Sequence, residues 1–159
     1  MKLAEALQKS STLNKEISRL ESKISSSLIL QEGQLPKGNV DEKYEEYVTK
    51  KAEKTKLSAS INYTNNTSPI DKTIYDNPNV NTISDLVLYR SLLSSKLSVV
   101  KDIASNGTVR NLSSKDQIKF DSCVDVGIYE DKAEALQKEI ENIDLKLQEI
   151  NWSADLIEI

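Results

Sequence analysis

Apolar residues recur along the chain in steps of three and four, interrupted by polar stretches that carry glycine, proline or asparagine. The opening segment carries Leu3, Ala6, Leu13, Ile17, Leu20, Ile24 and Leu28, with Ser10 filling the one polar gap. That is a heptad seam without Gly or Pro, and it predicts a helix over about 2–30. A stripe this narrow does not hold a lone helix in water, so it calls for partner helices. Gly33, Pro36 and Gly38 then end the helix and turn the chain. Asp41 is the expected N-cap of a second helix over about 41–63, on a weaker stripe of Tyr44, Tyr47, Val48, Ala52, Leu57, Ala59 and Ile61.

Thr64 to Asn81 is rich in Asn, Thr, Pro and Asp. Within it, Thr67–Ile70 facing Thr73–Tyr75 is expected to form a short β-hairpin, and Asp76-Asn77-Pro78-Asn79 a turn. Thr82 and Asp85 have capping-box spacing and open a third helix over about 82–105. It carries Leu86, Val87, Leu92, Leu93, Leu97, Val100 and Ile103, and Asn106-Gly107 stops it. Residues 117–124 alternate polar and apolar, which predicts a strand or an extended segment. A last helix over about 128–151 carries Ala133, Leu136, Ile140, Ile143, Leu147 and Ile150. The expected fold is mainly α: antiparallel helical hairpins or a bundle with coiled-coil-like seams, plus short β or irregular structure at 64–81 and 116–125, in one domain over 1–159. Ala4-Glu5-Ala6-Leu7-Gln8-Lys9 recurs as Ala133-Glu134-Ala135-Leu136-Gln137-Lys138, from duplication or from convergence on a good helix-forming string.

Composition sharpens this picture. Hydrophobic residues make up 38% of 159 and aromatics 5%, so the core is thin and self-association into a homodimer or higher oligomer is expected to bury more. Net charge is −4 with basic and acidic residues interleaved, which disfavours nucleic acid as a partner; the cluster Lys50, Lys51, Lys54 and Lys56 reads as a solvated helix face. No segment approaches the roughly 20 apolar residues of a membrane span. The amphipathic start does not resemble a signal peptide, and a cytoplasmic location is expected. A single cysteine, Cys123, rules out an intrachain disulfide and reads as a small buried residue.

The chain has no histidine, so neither a Ser-His-Asp nor a Cys-His arrangement exists. No Gly-rich phosphate loop is present, no catalytic residue is assigned and no cofactor is predicted. Glu32, Asp121 and Asp125 are weak metal-ligand candidates, with Asp121 and Asp125 flanking Cys123 on the expected extended segment; solvated surface acids are the commoner alternative. A ligand-binding or structural polar cluster is expected from Asn62, Thr64, Asn65, Asp85, Arg90, Asn151 and Trp152. Asn and Thr cap helix ends and tie loops down, and a Trp at a helix end can bury its ring.

Several short strings occur in order along the chain: Met1-Lys2-Leu3-Ala4-Glu5-Ala6-Leu7, Gln31-Glu32-Gly33, Ile61-Asn62-Tyr63-Thr64-Asn65, Thr82-Ile83-Ser84-Asp85 and Asn151-Trp152-Ser153-Ala154-Asp155-Leu156. Together they resemble the bacterial septicolysin-like proteins, a family uncharacterised in function, with Arg90-Ser91 standing where that family usually has Arg-Asp. The resemblance implies cytolysin-like or membrane-surface activity. The residues themselves favour a structural or interaction protein that self-assembles, with a carboxylate-based metal or small-ligand protein or enzyme as the alternative.

Overall fold

The computed structural model describes residues 1–29, 31, 33, 38–109 and 121–159. The described residues are mainly α, with four helices among them: α1 (Leu3–Ser25), α2 (Val40–Thr67), α3 (Ile83–Gly107) and α4 (Val126–Ser153). They belong to two compact units, one formed by Met1–Ser68 with Glu149–Ile159 and the other by Pro69–Gln148.

In the first unit, α1 buries Leu3, Ala6, Leu13, Ile17 and Leu20, the heptad seam. The helix stops at Ser25, short of Leu30, because Ser26 and Ser27 turn their hydroxyls onto the Lys23 carbonyl (3.1 and 2.6 Å) and compete with helix continuation. Asn39, not Asp41, caps α2: its side chain accepts from the Asp41 N–H at 2.9 Å, and Asp41 lies in the first turn. The two helices pack antiparallel, since Lys9 pairs with Glu53 and Glu16 with Lys50, each at 2.8 Å, and Lys43 reaches Ser27. The buried residues of α2 are Leu57, Ser60, Ile61 and Thr64, all in its second half. The carboxyl-terminal segment closes this end of the hairpin. Leu3 N–H donates to Ala154 O (3.0 Å), Leu156 N–H donates to Met1 O (2.9 Å), and Lys2 reaches Asp155 (2.9 Å).

In the second unit the expected hairpin of Thr67–Ile70 with Thr73–Tyr75 is absent. The chain is helical through Thr67, and Pro69 instead makes an isolated antiparallel bridge with Thr82. Asp71 and Asn77 explain the difference: their side chains accept the N–H groups of Thr73 (2.8 Å) and Asn79 (3.0 Å), curling the backbone where a strand would extend it. Ile70 and Val80 are buried, and Lys72 ties the loop shut on the Asn77 and Val80 carbonyls. Helices α3 and α4 are antiparallel: Arg90 bonds to Asp144, and further along α3 the entry to α4 packs on Gly107, where a Cβ would stand 2.6 Å from Val124. The core contains Ile83, Leu86, Leu93 and Leu97 from α3 with Ile140 and Ile143 from α4. Residues 117–120 of the expected strand lie outside the described residues. Asp121–Asp125 bend rather than extend, because Ser122 Oγ both accepts from Val124 N–H and donates to Val124 O.

The repeated six-residue string does not give α1 and α4 matching faces. Ala6 is fully buried whereas Ala135 is exposed, and Leu7 is exposed whereas Leu136 is half-buried. The string suits a helix without dictating which side faces the core.

Candidate functional site

The residues expected to form a polar cluster fall in both units. In the first, Thr64 is wholly buried inside α2. Its hydroxyl donates to Ser60 O (2.8 Å) and accepts from Ile157 N–H (2.9 Å), while Ser60 Oγ accepts from Ile159 N–H (3.2 Å). One helical turn thus holds the terminal segment by two side-chain oxygens. Asn65 is half-buried with its Oδ1 enclosed and unpaired, Asn62 is exposed, and Asn151 is half-buried. Trp152 is 61% exposed, contrary to the expectation of a buried ring: Ile150, two residues earlier, takes the buried side of the last turn of α4 at 5% exposure, which turns Trp152 to the opposite side.

In the second unit, Asp85 forms a capping box with Thr82: it accepts from the N–H groups of Asn81 (3.0 Å) and Thr82 (2.9 Å), and Thr82 Oγ1 accepts from Asp85 N–H (3.2 Å). Those backbone donors, with the Thr82 hydroxyl, hold the Asp85 carboxyl below the usual aspartate range. Arg90 forks onto Asp144 through Nε and Nη2, both at 2.9 Å, and depresses the Asp144 pKa. Beside it, Tyr89 Oη donates to Glu139 Oε1 at 3.0 Å.

Among the described residues no group of three or more Cys, Asp or Glu is placed to hold a metal ion. Asp121 and Asp125 are exposed, the latter turned back toward Ile128 N–H, and Glu32 lies outside the described residues. Cys123 is exposed, against the expectation of burial, because its segment forms a surface bend.

A second stripe runs along α3, which the spacing of apolar residues did not separate from the first. The buried seam runs through Ile83, Leu86, Leu93 and Leu97. On another face Leu88 (66% exposed), Leu92 (50%) and Val99 (57%) stand in solvent, while Val87 (45%) lies about 100° around the helix from Leu88. Leu88, Leu92, Ser95 and Val99 repeat in steps of four, three and four, a heptad seam in its own right. Asp85, Arg90, Lys96, Lys101 and Asp102 are the only charged residues of α3, and Arg90 is spent on Asp144. Ser95 and Val99 also line an open groove of about 630 Å³ between α3 and α4, walled by Val100, Ala135 and Leu136 and rimmed by Lys96, Lys132 and Glu139. The signal was present in the sequence: apolar residues at both 92 and 93 cannot share one narrow stripe.

A family model described as a family of unknown function, DUF6847, matches residues 10–156. The crystal structure of a functionally unknown conserved protein from Corynebacterium diphtheriae superposes with a TM-score of 0.87 at 26% identity, covering 99% of this chain and 99% of that one. No curated protein matches. These findings overturn the resemblance to septicolysin-like proteins. Of the shared strings, Met1–Leu7 and Thr82–Asp85 open helices, Ile61–Asn65 lies in the last two turns of α2 and Asn151–Leu156 runs across the end of α4, placements common to helical chains in general. No helix among the described residues is long and apolar enough to cross a membrane.

Proposed function

The chain belongs to DUF6847, a family of unknown function, and from that premise we propose that it is a helical interaction protein that assembles with copies of itself through α3. The observation that carries this reading is the uncharged, exposed stripe of Leu88, Leu92 and Val99. Scattered surface apolar residues need no explanation, but a heptad-spaced row of them on the most apolar of the four helices does. Covering a half-exposed Leu or Val returns about 1 kcal/mol. Association costs roughly 4–15 kcal/mol in lost freedom. Three such residues on each of two copies return roughly 6 kcal/mol, inside that range, so covering the groove walls on α4 as well is what carries association clear of its cost. Ser91, Ser95 and Ser98 line the same face and are small enough for close helix approach. The reading places the protein in the cytoplasm, where a lone exposed Cys123 stays reduced.

Light scattering on the intact protein across a range of micromolar concentrations tests the reading. The expected result is a discrete oligomer that Leu92→Glu converts to monomer without loss of helical content. A wild-type chain that stays monomeric throughout overturns it.

A further inference from the structure

We infer that the partner of this face is a second α3 running antiparallel, with Lys96 set against the partner's Glu139; this rests on the self-assembly reading above and adds its direction and register. The steps of four, three and four that space Leu88, Leu92, Ser95 and Val99 read the same from either end. Paired antiparallel about its midpoint, the seam sets Leu88 against the partner's Val99 and Leu92 against the partner's Ser95, so every layer joins a large side chain to a smaller one. Paired parallel, it stacks two Ser95 in one layer and two Leu92 in another, which leaves a polar gap in the seam.

The flanks make the same choice. In the heptad defined by the seam, Tyr89 and Lys96 share one flank, and Ser91 and Ser98 share the other. Antiparallel helices bring like flanks together. Lys96 then meets the partner's Tyr89, whose hydroxyl is already held by Glu139 at 3.0 Å. A cation comes to a phenol–carboxylate pair, and two-fold symmetry makes the contact twice. On the other flank Ser91 meets the partner's Ser98, a small-on-small contact that permits close approach. In the parallel arrangement Lys96 faces the partner's Ser91 and has no opposite charge. Asp85 and Asp102 close the seam in either direction and so do not decide between them. Lys96 and Glu139 both rim the groove between α3 and α4, so the same docking that joins the charges covers its apolar walls.

The test uses the full chain. Lys96→Glu and Glu139→Lys are expected to weaken self-association at least about ten-fold each, because each sets like charges face to face. An equimolar mixture of the two variants restores assembly, since the mixed pair carries both opposite-charge contacts. A second arm removes dependence on Glu139: in a Cys123→Ser background, Leu88→Cys and Val99→Cys chains are mixed and mildly oxidised. The expected product is the mixed cross-linked dimer. Cross-linked Leu88→Cys homodimers, or a charge-swapped mixture that assembles no better than its components, overturn the antiparallel register. If Leu92→Glu still abolishes assembly in that case, the self-assembly reading survives alone; a monomeric wild type removes both.

Discussion

Thr64 shows how a single polar residue is used in this fold. It is wholly buried in a helix of mostly exposed residues, yet its hydroxyl has both a donor role, to Ser60 O, and an acceptor role, from Ile157 N–H. Valine has the same shape and can do neither. Thr64→Val is expected to cost about 1–3 kcal/mol, mostly from stranding the Ile157 N–H. Urea unfolding followed by circular dichroism would measure it, and a change under about 0.5 kcal/mol would show that the terminal segment is not anchored there. Thr64 stood out in the sequence as a polar residue near a helix end, but its partner is 93 residues away, and no local pattern encodes that pairing. Asp85 was legible for the opposite reason: its partners Thr82 and Asn81 are three and four residues off, within reach of capping-box spacing. Trp152 misled because ring size argues for burial, whereas its register, two residues after the buried Ile150, turns it to the outer side of α4.

At the level of elements, α3 is the helix that matters, because adjacent residues serve different faces. Leu93 is 3% exposed and Leu92 is 50% exposed. Leu93→Ala is expected to cost the monomer about 2–5 kcal/mol by leaving a cavity. Leu92→Ala is expected to change monomer stability by no more than about 0.5 kcal/mol, and to weaken assembly instead. Thermal unfolding at low concentration, read beside light scattering at high concentration, separates the two; equal losses of stability would mean that both leucines face one core. Helix existence was legible for all four elements, since each carries apolar residues at helical spacing. Which stripe faces inward on α3 was not, because a helix with apolar residues on two faces fits either as its core side. The helix ends were obscured by hydroxyl groups: Ser26 and Ser27 stop α1, whereas Thr64 and Thr67 bond back to the preceding turn within α2, which still runs to Thr67. Ser and Thr do both, so composition alone does not choose.

Over the whole molecule, charge governs how stability responds to pH, and the direction can be worked out group by group. Folding depresses several carboxylates: Asp85 through the Asn81 and Thr82 N–H groups, Asp71 through the Thr73 N–H, Asp144 through Arg90, Asp155 through Lys2 and Glu53 through Lys9. A carboxylate whose folded pKa lies below its ordinary value, 3.8 for Asp and 4.5 for Glu, contributes stability that is fully present above that value. The contribution is lost as pH falls through the lower folded value. Folding raises Lys50 through Glu16 and Lys138 through Glu134, and their contribution is full below the ordinary 10.5 and lost only as pH rises above it. With no histidine in the chain, no imidazole titrates between these windows. The midpoint of thermal unfolding is therefore expected to stay level from about pH 5 to 9 and to fall steeply below about pH 4. The acid loss should be shared by both units, because Asp155 and Glu53 belong to one and Asp71, Asp85 and Asp144 to the other. Asp85→Asn together with Asp144→Asn should shallow the acid slope while lowering stability at pH 7, since it removes two of the depressed groups along with their bonds. A stability change centred near pH 6–7, or an acid slope untouched by that double substitution, would show that these carboxylates are not what sets the pH response.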